Sequence, residues 1–93
     1  MIRIVKLYLK KEYCEDFKSF FESNKHKINS QAGCQHVELL NSIENSQIFF
    51  TYSHWEHPDY LEKYRQSDFF NNVWSQVKPW FEQKAEAWSV EKL

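Results

Sequence analysis

Histidine is the residue best suited to moving a proton near neutral pH, and this 93-residue chain has four of them. Two stand inside apolar runs: His36 in Cys34-Gln-His-Val-Glu-Leu-Leu-Asn-Ser42, and His54 in Gln47-Ile-Phe-Phe-Thr-Tyr-Ser-His-Trp55. An imidazole in such a run is either a general base or a buried ring satisfied by neighbouring backbone or a second subunit. His54 is the stronger candidate base, because it lies at the end of its run, where a pocket mouth can open. The phenols of Tyr52 and Tyr64 are suited to orienting a substrate hydroxyl. Phe70 and Trp74, four residues apart, can wall a pocket, or they are ordinary core at helical spacing. Glu38 is a carboxylate within a strand, so it is paired, on a wet edge, or an inward base. His26 and His57 read as solvated. No pair of histidines has the i, i+4 spacing of a helical metal site, and no metal is expected. Cys14 and Cys34 form no Cys-x-x-Cys pair; a disulfide between them is arithmetically possible, but reduced, unreactive thiols are the expectation.

The elements that must hold these side chains follow from periodicity. Met1–Leu9 reads as a strand, with apolar residues at both parities, which implies cover on both faces. Glu12 to Ile28 reads as an amphipathic helix, with Tyr13, Phe17, Phe20, Phe21 and Ile28 on one stripe. Asn29-Ser-Gln-Ala-Gly33 ends it with turn chemistry. Cys34–Ser42 and Gln47–Trp55 read as a hairpin joined by Ile43-Glu-Asn-Ser46. Its register is open: an odd loop puts His36 and His54 on one face, an even loop on opposite faces. Pro58 suits the first position of a second helical region bearing Tyr60, Leu61 and Tyr64. Ser67 then caps a helix over Asp68–Val77 carrying Phe70, Val73, Trp74 and Val77. Pro79 predicts a break, with Trp80 and Phe81 packed on the turn after it. Ala87–Glu91 reads as a last strand. The order βαββαβ is that of an α+β, ferredoxin-like fold, a four-stranded antiparallel sheet with helices on one face. The other face needs a cover, and a second copy is the economical one, giving a homodimer packed sheet to sheet as a dimeric α/β barrel.

Composition removes several classes of function. Seventeen aromatics accompany a single glycine, Gly33. A loop that cradles a nucleotide phosphate needs several glycines, so that chemistry is absent. Twelve basic and 13 acidic residues give a net charge of −1, without the basic excess that a nucleic-acid partner requires. No run approaches the roughly 20 apolar residues of a membrane span, and Arg3 and Lys6 interrupt the first strand where a signal peptide would run apolar. A single cytoplasmic domain over residues 1–93 is the expectation.

Three segments then carry a family resemblance: Gly33-Cys-Gln-His-Val-Glu-Leu-Leu40, Phe50-Thr-Tyr-Ser-His-Trp-Glu56, and Tyr64-Arg-x-Ser-x-Phe-Phe70. In order, spacing and length the chain resembles the antibiotic biosynthesis monooxygenase family, small dimeric α/β-barrel proteins that include quinol monooxygenases. The resemblance implies oxidation of a small hydroxylated aromatic by dioxygen without metal, flavin or haem, hence no cofactor, in a pocket between the sheet and its own helices. On that reading His54, with His36 as the lesser candidate, is the base. Tyr52 and Tyr64 orient the substrate, and Phe70 and Trp74 form apolar walls. A haem-degrading branch carries an asparagine on the first strand, a tryptophan after the hairpin and an iron-binding histidine on the next helix. This chain has no asparagine on that strand, Tyr64 at the tryptophan position and Trp74 at the histidine position, and an indole cannot ligate iron as an imidazole does. Two alternatives remain on the same fold: a non-catalytic small-ligand-binding or stress-associated dimer, and an isomerase of the muconolactone type.

Overall fold

The computed structural model describes residues 1–93. The strands are β1 (Ile2–Tyr8), β2 (Cys34–Asn41), β3 (Ile48–Trp55) and β4 (Glu86–Val90). The helices are α1 (Cys14–Asn29), α2 (Pro58–Arg65) and α3 (Asp68–Val77). The strands form one antiparallel sheet in the order β2-β3-β1-β4. This is the expected ferredoxin-like α+β arrangement. No helix is long and apolar enough to cross a membrane.

Local chemistry sets the element ends. A 3-10 turn, Lys11–Tyr13, leads into α1, and Gly33, at φ +80°, carries the chain from α1 to β2. Only glycine enters that region without penalty. The hairpin loop is held by its own polar groups: Ser42 N–H donates to the Ile48 carbonyl at 2.9 Å, and Asn41 Nδ2 donates to the carbonyls of Ser46 and Ile48. The resulting register places His36 directly opposite His54, so the two share a face. A bulge between Cys34 and His36 absorbs one residue of β2. α2 starts at Pro58 and is capped by the His57 ring, whose Nδ1 accepts from Asp59 N–H at 3.1 Å. That imidazole is exposed, as the sequence suggested, and also caps the helix. Ser67 Oγ accepts from Phe70 N–H at 3.1 Å and caps α3, as its position predicted. After Val77 the chain tightens into a 3-10 turn, Lys78–Trp80, the break expected of Pro79. Trp80 stacks on Tyr13 with centroids 5.6 Å apart, and Phe81 meets Trp74 edge-on at 5.4 Å. The last strand begins one residue earlier than its apolar pattern suggests, because Glu86 pairs across the sheet with Lys6.

All three helices pack on one face of the sheet. Strand alternation therefore decides what each side chain meets. Leu7, Val37, Phe49 and Trp55 point to the helices and are buried with Phe17 and Phe21 of α1, Leu61 of α2 and Val77 of α3. The opposite face carries Ile2, Ile4, His36, Leu40, Phe50, Tyr52, His54, Trp88 and Val90, at the alternate positions of the same registers, and none of them is buried.

Candidate active site

Between the helices and the sheet lies a cavity of about 350 Å³. Its floor is the helix-facing row of the strands, with Val5, Thr51, Ser53 and Trp55. Its walls are Phe21 and Ile28 of α1, Tyr64 of α2, and Phe70 and Trp74 of α3. Sixteen of the 21 lining residues are hydrophobic, and none is Asp, Glu, His or Lys. Phe70 and Trp74 stack at 5.9 Å with their planes 9° apart, forming a flat wall that leaves the space open.

The polar groups of the cavity are few and identifiable. Trp55 Nε1 donates to Ser53 Oγ at 3.0 Å, and Ser53 Oγ donates onward to the Arg3 carbonyl at 3.5 Å. This satisfies the one buried polar residue of the chain. Tyr64 is held by rings on three sides: stacked on Trp55 at 5.2 Å, edge-on to Phe70 at 5.1 Å and tilted against Phe69 at 6.3 Å. Burial, with a smaller contribution from the nearby Cys34 thiol, pushes its phenol up to about 12. It is therefore a hydrogen-bond donor across the physiological range and not a base. Asn24 of α1 also faces the cavity, its Nδ2 donating to the Phe20 carbonyl at 2.8 Å. Two cations complete the lining. Arg3 points from β1 at the parity of Val5 and Leu7, and Arg65 stands at the end of α2, half exposed. Burial, then the charge of Arg65, lowers the Arg3 guanidinium from its ordinary value, with Glu62 acting in the other direction.

Three of the six residues singled out in the sequence meet in this cavity: Tyr64, Phe70 and Trp74. The other three, His54, His36 and Tyr52, are brought together elsewhere. They sit on the open face of the sheet, with His36 5.9 Å and Tyr52 5.1 Å from the His54 ring. Parity is the reason. Ser53 and Trp55 turn into the cavity, so Tyr52 and His54, their neighbours on β3, turn away. The expectation that His54 shares a pocket with Tyr64 is not met, since the sheet itself separates them. Glu38 belongs to the open-face group, 3.6 Å from His36 Nε2. Among the cavity residues with polar side-chain groups, side-chain type alone did not single out Arg3, Arg65, Thr51, Ser53, Trp55 and Asn24. For Arg3 the signal was present in its shared parity with Val5 and Leu7. Both cysteines are free, and burial raises both thiols, the behaviour of unreactive sulfur. No group of three or more His, Cys, Asp or Glu is placed to hold a metal ion.

Comparison with known proteins bears on this geometry. Solved structures with the same fold include an antibiotic-biosynthesis-monooxygenase-type protein of Bordetella bronchiseptica, with TM-score 0.90 and 22% identity over 99% of this chain and 95% of that one. One of the same type from Nitrosomonas europaea has TM-score 0.89 and 16% identity over 99% and 97%. A conserved protein of Methanosarcina mazei has TM-score 0.85 and 22% identity over 92% and 86%. At these identities the likeness is one of fold. Among curated proteins none matches the chain significantly. The profile of one family, antibiotic biosynthesis monooxygenase, matches residues 1–73, from β1 through most of α3 and so across most of the elements that enclose the cavity. The chain belongs to the antibiotic biosynthesis monooxygenase family.

Proposed function

We propose that the protein is a cytoplasmic, homodimeric monooxygenase that oxidises a small hydroxylated aromatic in the cavity beneath its helices. The observation that carries this reading is the cavity itself: about 350 Å³ of mostly apolar, aromatic-walled space, with the Tyr64 ring in its lining. A flat substrate lies along the Phe70–Trp74 wall, and Tyr64, a permanent donor, hydrogen-bonds its hydroxyl. The dry lining limits side reactions of reduced oxygen. The electrons come from the substrate: a quinol and dioxygen give a hydroxyquinone and water. One oxygen atom enters the ring, the other leaves as water, and four electrons pass from the organic molecule. No carboxylate or imidazole lines the cavity, so the proton of the substrate leaves to solvent and not to His54.

The homodimer rests on the open face of the sheet. Ile4 lies opposite both Tyr52 and Trp88 in the registers of its neighbours, and a second sheet packed there covers all three. The test of the enzymatic reading is oxygen uptake over a panel of hydroquinones and anthrone-like phenols, with wild type beside Tyr64→Phe and His54→Ala. Uptake that falls in Tyr64→Phe and persists in His54→Ala supports the cavity as the site. Uptake lost in His54→Ala and retained in Tyr64→Phe overturns it. The lining without acid or base also favours a second reading, a pocket that binds an aromatic without turnover. Saturable binding without oxygen uptake from any compound of the panel selects it.

A further inference from the structure

The only charges lining the cavity are the guanidiniums of Arg3 and Arg65. Neither is neutralised by a buried carboxylate. Arg3 spends one N–H on Ser89 Oγ at 3.0 Å. Arg65 Nη1 stands 3.4 Å from Glu62 Oε2, an exposed carboxylate that is also shared with Gln66. A guanidinium has five N–H donors, so most of the donors of both remain free. Both line the same cavity and influence one another, one of them on a central strand, so they give an otherwise apolar space a cationic patch. The lining itself holds no carboxylate; Glu62, exposed beside Arg65, occupies one of its donors and acts on Arg3 from outside the lining, so the remaining donors are free for an anionic ligand.

We propose that the cavity takes an aromatic carboxylate, its flat apolar body against Phe70 and Trp74 and its carboxylate between Arg3 and Arg65. The inference rests on the cavity being the substrate pocket and names the class of molecule within it: a hydroxylated aromatic acid. Arginine suits this task better than lysine, since its planar fork matches a carboxylate in two-point geometry. The charge also sorts ligands. A neutral aromatic of the same size gains the wall contacts and leaves the free guanidinium donors without an anion.

The experiment is calorimetric titration of the intact protein with 6-hydroxy-2-naphthoate and with 6-hydroxy-2-naphthamide, which share a ring system and a hydroxyl and differ in charge. The acid is expected to bind at least about tenfold more tightly than the amide, with a preference that shrinks as salt rises. Arg3→Gln and Arg65→Gln each reduce that preference and leave the amide unchanged, and the double variant abolishes it. Lys6→Gln alters net charge equally from the other face of the same strand, and it retains the preference. Equal affinities in the wild type, or a preference that survives the double variant or vanishes in Lys6→Gln, overturn the anion assignment while leaving the pocket intact. Failure of both compounds to bind overturns the pocket as well. The wild-type comparison requires no variant to fold.

Discussion

Tyr64 shows how one side chain acquires a role from its surroundings. A phenol in water loses its proton near pH 10; packed between Trp55, Phe69 and Phe70, this one holds it to about 12. Burial disfavours the phenolate, so the folded state binds the proton more tightly than the unfolded chain. The stability this contributes is fully present below about pH 10 and is lost as pH rises towards 12, because the unfolded chain ionises first. Two units amount to roughly 2–3 kcal/mol. Tyr64→Phe keeps the stacked ring and removes the titration. Urea melts from neutral to strongly alkaline pH should therefore show a shallower alkaline loss in the variant than in the wild type, and parallel slopes would contradict the burial argument. In the same variant, affinity for a hydroxylated aromatic should fall by about tenfold at neutral pH, the loss of one donor in a dry site. His54→Ala, on the far side of the sheet, should leave that affinity within about twofold in the same titration, since distant sites act independently.

Among the elements, the turn between α1 and β2 carries the tightest constraint. Gly33 lies against the ring of Tyr60 on α2, and a Cβ added there would run into that ring. Its carbonyl accepts from Glu56 N–H at 2.8 Å, tying the start of β2 to the end of β3. Gly33→Ala combines a positive φ with a clash and should cost about 2–4 kcal/mol in denaturant unfolding. Ser67→Ala removes only the cap of α3 and should cost about 1 kcal/mol. These local signals were legible in the sequence, and so was α3, because Phe70, Val73, Trp74 and Val77 recur at helical period behind a serine. The same spacing made Phe70 and Trp74 pocket walls or ordinary core, and it was the phenol of Tyr64 that marked it as a pocket residue. The split of β3 was not legible. Its alternation shows that Tyr52 and His54 share a face and that Ser53 and Trp55 share the other, but not which face the helices choose. That choice is made by contacts distant in sequence, such as Phe17 on Phe49, whose centroids lie 5.4 Å apart. Arg3 escaped for a related reason, since a charge in a strand reads as a wet face until the cavity beside it is known.

At the scale of the molecule, the sheet is covered on one side only. Just 11 of 93 residues are buried, and every buried strand residue points towards the helices. Trp88 at 45%, Leu40 at 43% and Val90 at 42% exposure stand on the other face, an apolar patch of a kind that single-chain soluble proteins rarely leave open. A row runs through all four strands there, Glu38, Tyr52, Ile4 and Trp88, and the next row is His36, His54, Ile2 and Val90. A second copy laid across these rows, as proposed, would bury the aliphatic and aromatic positions of both sheets together, the patch meeting itself about a two-fold axis. Ile4 is near the middle of the face, so Ile4→Glu would bring two uncompensated carboxylates into the contact. Light scattering should show the wild type as a dimer at micromolar concentration and Ile4→Glu as a monomer with weaker thermal stability. The cavity lies on the other side of the sheet, so the monomeric variant, held below its melting temperature, should still bind the aromatic acid. A wild type that scatters as a monomer would leave the open face without its cover, and a monomeric variant that no longer binds would show that the cavity depends on the partner for its shape.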